Sequence, residues 1–231
     1  MSVDIGAYLA RATSRAKSDV ANKLVSMALH LISREICKRY GLSVTDQAYR
    51  DMVVETFGSR CPYCDREIVR TSCVVEHLNG MNRFRVGLHI PSNVLVACSE
   101  CNKEKRRDDQ VVRLKLADHG WSEFLSHKGT QDCLPECRSC GYWKRIIPDD
   151  GQRQALLSAS ESRIREFVNK PEFALFQSMA ISCHDTLKEM IGRIYRDGQE
   201  FATNSMLESR EKIEEILKSS NSGDQSVDSG R

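Results

Sequence analysis

Two CxxC pairs, Cys61/Cys64 in CPYC and Cys98/Cys101 in CSEC, stand 33 residues apart. A CxxC turn sets two thiolates on one edge of a tetrahedron, and two such turns complete a closed four-sulfur zinc site. Between the pairs lies CVVEHL, in which the carboxylate Glu76 precedes the imidazole of His77. A histidine titrating near pH ~6.5 can take a proton from water at neutral pH. A carboxylate with an amide oxygen suits a hard divalent cation such as Mg2+. Four thiolates fill every position on zinc, so that metal is expected to be structural. Acid–base and metal chemistry must then come from the interval between the pairs and the residues just after it.

A second cluster follows. Cys133-x3-Cys137-x2-Cys140 offers three thiolates, and a closed zinc site needs one more ligand. His127 is nearest in sequence; His119, Cys183 and His184 are the alternatives. CRSCGYW reads as another knuckle, with Tyr142 and Trp143 placed to pack on it. Cys37 and Cys73 read as small buried hydrophobes. Each feature also has a plainer reading. An isolated histidine after an apolar run is more often a hydrogen-bonded structural residue, and loop cysteines can be unlinked. The paired spacing favours metal over that reading.

The elements that must position these residues follow from punctuation and periodicity. The chain has 231 residues, 29% charged and 40% hydrophobic, the composition of a soluble globular protein. No run approaches the ~18 apolar residues of a membrane span, and MSVDIGAYLARATSRAK has no signal-peptide core, so a cytoplasmic location and no membrane partner are expected. Ten cysteines in a reducing compartment point to metal ligands rather than disulfides. Net charge is only +2, so any nucleic-acid surface must be local.

Residues 1–57 read as an N-terminal helical region, its apolar face formed by Leu24, Met27, Ala28, Leu31 and Ile32. Gly41 should stop the first helix, and Ser43 or Thr45 should cap a second that ends at Phe57. Residues 58–118 change character: CVVEHL and NVLVAC read as strands. SECNKEKRRDDQVVRLKLADHG reads as a helix. Residues 119–150 read as a cysteine-rich loop region. Residues 151–218 read as three further helices, with Pro171 in the first turn of the second and a break at Asp197–Gly198. The polar tail 219–231 is expected to be disordered.

The ordered pieces CPYC, VVEHL, SNVLVACSEC and CNKEKR resemble the HNH nuclease motif of the ββα-metal type, over Cys61 to about Arg107. The resemblance implies that His77 is the general base activating water. Glu76 becomes a ligand of a catalytic Mg2+ or Mn2+, where the family more often carries Asp. It makes Asn93 the brace of the loop that orients the histidine, and Asn102 the second protein ligand, where others carry His. His89 has no motif role and is expected to be structural or phosphate-facing. Arg83 and Arg85 in NRFR, with Lys103, Lys105 and Arg106 in KEKRR, are the candidate phosphate contacts.

The fold class expected is α+β, mainly helical: a small zinc-stapled ββα core with flanking helical regions. One or two structural Zn2+ ions would be held by Cys61, Cys64, Cys98 and Cys101, and by Cys133, Cys137, Cys140 and His127. The expected activity is metal-dependent endonucleolytic hydrolysis of nucleic acid, double-stranded DNA first. By analogy alone the setting is restriction or anti-phage defence, with a homodimer or a defence partner protein. The rival readings are a catalytically silent zinc-dependent binding module and a nuclease subunit active only within a larger complex.

Overall fold

Helix α1 (Ile5–Tyr40) ends where Gly41 turns to φ 71°, a conformation that favours glycine. The computed structural model describes residues 5–69, 71–105, 120–127, 133 and 137–222. Helix α2 (Gln47–Phe57) follows, entered through Asp46 rather than Ser43 or Thr45. The Asp46 carboxylate turns back to accept the Ser43 N–H at 2.7 Å. Gly58, at φ 58°, closes α2 by donating its N–H to Val54 O.

Strands β1 (Cys73–His77) and β2 (Val94–Cys98) pair antiparallel, with Glu76 opposite Leu95 and His77 opposite Val94. Alternation sets Glu76, Leu95 and Ala97 on the buried face and leaves Val75 and Val96 exposed on the other. Strand β2 runs directly into α3 (Ser99–Lys105), giving the order ββα. The rest of the helix expected after α3 lies outside the described residues.

The stretch expected as loop is partly helical: α4 (Trp121–Ser126) and α5 (Arg138–Ile146). Helices this short, one entered at Gly120 and the other at Cys137, carry too little periodicity to be read from sequence. Helix α6 (Asp150–Val168) starts at the Asp149 cap, whose carboxylate accepts the Gln152 N–H at 2.7 Å. Pro171 opens a single 3-10 turn (Pro171–Phe173) that leads into α7 (Ala174–Ser222). The fold is therefore α+β and mainly helical, with one two-stranded sheet among the described residues.

The chain divides into two units, residues 26–191 and residues 1–25 with 192–231. In the larger, one core gathers Tyr49, Phe57, Leu78, Leu95, Phe124, Trp143, Leu157, Phe167 and Phe173. In the smaller, Ala21, Val25, Tyr195 and Ala202 are buried. Helix α7 passes unbroken through Asp197–Gly198, where a break was expected. Gly198 serves close packing instead: a Cβ there would lie 2.9 Å from Leu24 Cδ1 and 3.1 Å from Ala21 Cα. The predicted apolar face of α1 is also displaced. Met27 and Leu31 are exposed, whereas Val25, Leu29 and Ser33 are buried. Among the described residues no helix is long and apolar enough to cross a membrane.

Candidate metal centres and polar site

Cys61, Cys64, Cys98 and Cys101 are all buried, and their sulfurs lie within 4.8 Å of one another. Sulfurs on a tetrahedron with Zn–S bonds of about 2.3 Å stand about 3.8 Å apart. Cys64 Sγ and Cys98 Sγ are 3.9 Å apart. Backbone N–H groups of Cys98 and Cys101 donate to the sulfurs of Cys61 and Cys98, and Arg66 Nε donates to Cys64 Sγ at 3.4 Å. Such donors stabilise thiolate charge. Hydrogen bonding from Cys101, then from Cys61, brings the Cys98 thiol down to about 7. Cys64 is driven down by Cys101, Cys61 and Cys98. Burial pushes Cys101 up. The donor set suits Zn2+, and this group could bind it.

The second group also assembles. His127, Cys133, Cys137 and Cys140 bring their ligand atoms within 4.8 Å of one another. His127 Nδ1 is 3.3 Å from both Cys133 Sγ and Cys137 Sγ. This Cys3His set could bind zinc as well. It places His127 in the fourth position; Cys183 and His184 sit on α7, and His119 lies outside the described residues. Cys137 caps α5, accepting the Cys140 N–H at 3.4 Å. From α5, Tyr142 OH reaches Cys101 Sγ at 3.0 Å, so the two clusters meet through one side chain. Burial, then Cys101, raises the Tyr142 hydroxyl well above its ordinary range.

Glu76 and His77 occupy opposite faces of β1. Glu76 is 1% exposed and lies 2.8 Å from Lys105 Nζ, itself 1% exposed. Tyr63 OH, from inside the CPYC turn, donates to Glu76 Oε1 at 2.8 Å. Burial and the neighbouring Glu76 hold the Tyr63 hydroxyl protonated far above its usual range. Lys105 also donates to His77 O at 2.8 Å and Leu78 O at 3.4 Å, which fixes the end of β1 to α3.

On the other face, His77 Nε2 lies 3.0 Å from His89 Nδ1. The His89 ring also packs on His30, at 5.0 Å between centroids. Its backbone N–H donates to Ser33 Oγ at 2.8 Å. Burial, and then the charge of His30, lower the His89 pKa below 6.5. Asn93 braces the intervening loop. Its Nδ2 donates to Leu88 O at 2.7 Å and Asn79 O at 3.1 Å, and its Oδ1 accepts the Asn79 N–H at 2.8 Å. Asn102 lies half-buried on α3, one turn before Lys105.

The candidate phosphate contacts are mostly engaged. Arg85 pairs with Glu123, Arg83 lies over the Phe84 ring at 4.4 Å, and Lys105 is buried with Glu76. Lys103 is exposed on α3, and Arg106 lies outside the described residues. Sequence reading missed the Glu76 partners Tyr63 and Lys105, and the His77 partner His89. The signal for Lys105 was its spacing: four residues after Cys101 on a helix anchored by that cysteine. Comparison with protein-family models, curated proteins and solved structures returned no match.

Proposed function

We propose that the chain is an endonuclease of the HNH type, hydrolysing phosphodiester bonds with His77 as general base. The observation that carries this reading is the ββα order, with His77 at the end of β1 and Asn102 on α3, framed by Cys61, Cys64, Cys98 and Cys101. His89 Nδ1 lies 3.0 Å from His77 Nε2; in the tautomer in which His77 Nε2 donates to it, the lone pair on His77 Nδ1 is the one that would take a proton from water. Asn93 supports this by locking the 79–93 loop that carries His89.

Glu76 and Asn102 are the groups that would hold a catalytic Mg2+ or Mn2+, a carboxylate and an amide suited to a hard cation. The carboxylate is already neutralised by the Lys105 ammonium, so the divalent cation would enter by exchange with it. When bound, such a cation supplies Lewis-acid relief of phosphate charge. The two zinc clusters serve the site by position: one closes the ends of the ββα unit, and the other ties it to α5. Double-stranded DNA is the proposed substrate, a cytoplasmic anti-phage or restriction role the proposed setting, and a homodimer or partner protein the proposed assembly.

The test is incubation of the purified, zinc-loaded chain with supercoiled plasmid in Mg2+, in Mn2+ and with no added divalent ion. Relaxed and linear products that need the divalent ion are expected. Intact plasmid in every condition would favour the silent binding module or the partner-dependent subunit.

A further inference from the structure

A cavity of about 780 Å³ opens beside His89, and its lining includes His30, Arg34, Lys38, Asp46 and His89. His30, Arg34 and Lys38 recur at four-residue intervals on α1 and are all exposed, so they form one stripe along the helix. Elsewhere in the larger unit Arg60 and Arg163 pair with Asp65, Arg66 with Glu100, and Arg85 with Glu123. Among the described residues Arg34 and Lys38 have no ion-pair partner. The acid in this lining, Asp46, is held by the Ser43 N–H. His30 packs on His89, and His89 packs on His77, so the stripe ends one ring away from the proposed base.

We infer that the α1 stripe His30–Arg34–Lys38 is a nucleic-acid backbone site that delivers a phosphodiester strand to His77. This rests on the nuclease reading and adds where the substrate lies. The stripe spans about 12 Å at about 1.5 Å per residue. One strand of a duplex carries a phosphate every 3.4 Å or so of axis, so the stripe faces about three or four phosphates. Arg34 and Lys38 contribute charge without reading bases, so binding there is independent of sequence. Of the contacts expected in NRFR and KEKRR, Lys105 is buried against Glu76 and Arg85 is paired with Glu123, whereas Arg34 and Lys38 stand exposed on one helix face.

The experiment measures binding of a fluorescein-labelled DNA duplex across a salt series, without added Mg2+ or Mn2+, on the zinc-loaded His77→Ala chain. Arg34→Ala/Lys38→Ala is compared with that parent and with the charge-conserving Arg34→Lys/Lys38→Arg. Loss of two phosphate contacts lowers the salt slope by about 1.8, which is roughly 60-fold weaker binding at ~0.1 M salt and no difference near ~1 M. The charge-conserving pair should bind like the parent. Equal affinity and slope in the alanine variant would overturn the inference, as would a parent that binds no duplex. Binding that depends on the stripe in a chain whose wild type never cuts DNA would sink the nuclease reading and leave the stripe standing.

Discussion

Lys105 Nζ lies 2.8 Å from Glu76 Oε1, and both side chains are 1% exposed. Removing one partner of a buried ion pair leaves the other charge uncompensated, at a cost of about 3–5 kcal/mol. Lys105→Met should therefore lower the free energy of unfolding measured by urea titration by that amount, whereas Glu76→Gln/Lys105→Met should recover most of it. If the divalent cation exchanges with the ammonium, Mn2+ should restore stability to Lys105→Met more than it stabilises wild type. Equal responses of the two proteins would remove Glu76 as a metal ligand.

Metal content separates the two cysteine clusters. The purified chain should carry two zinc ions, one in each group of four ligands. His127→Ala should leave one, since the closed site loses its fourth ligand. Cys61→Ser should lose the other and unfold the ββα unit, because a structural zinc contributes folding free energy directly. Elemental analysis of the two variants checks this. Unchanged zinc in His127→Ala would exclude that histidine from the site.

The His89 ring should make stability depend on pH. Its pKa is lowered in the folded chain, so the unfolded chain binds the extra proton first as pH falls. Its contribution is complete above the ordinary value of 6.5 and declines below it. The groups facing the ring are His30 from α1 and His77 from β1, with Arg34, Lys38 and Asp46 across the cavity. His89→Gln should flatten the fall in urea midpoint between about pH 7 and pH 5. In the proposed reaction it should also shift the pH–rate profile, because the partner of His77 Nε2 has changed. An unaltered profile would make His89 structural only.

Gly198 should resist enlargement. Its missing Cβ would meet the Ala21 backbone at 3.1 Å, so Gly198→Val is expected to cost about 1–3 kcal/mol by overpacking. Hydrogen exchange of α7 amides around residue 198 should accelerate in the variant. Unchanged protection would mean that this contact does not hold the two helices together.

The same glycine shows where sequence reading stops. Asp197–Gly198 reads as a breaker because glycine in a helix costs about 1 kcal/mol relative to alanine. Only the neighbouring Ala21 shows that its small size is used for packing. The two groups of candidate metal ligands were legible because ligand spacing is local; His127 could be preferred by proximity but not fixed. Asn93 stands out in the sequence only through the motif resemblance; its hydrogen bonds to Asn79 and Leu88 come from the folded loop. The face of α1 was not, because its apolar residues surround the helix and only the packing selects Val25, Leu29 and Ser33. Nor was the division of labour at Glu76 and His77. Strand alternation separates them, but their partners Lys105 and His89 come from 29 and 12 residues further along the chain.

The most direct measurement is the rate of plasmid nicking by wild type and His77→Ala in the same Mn2+ buffer. A general base contributes about 10²–10⁴-fold, so His77→Ala should cut at least about a hundred times more slowly while still binding DNA. Equal rates in the two proteins would contradict the assignment of His77 as the base.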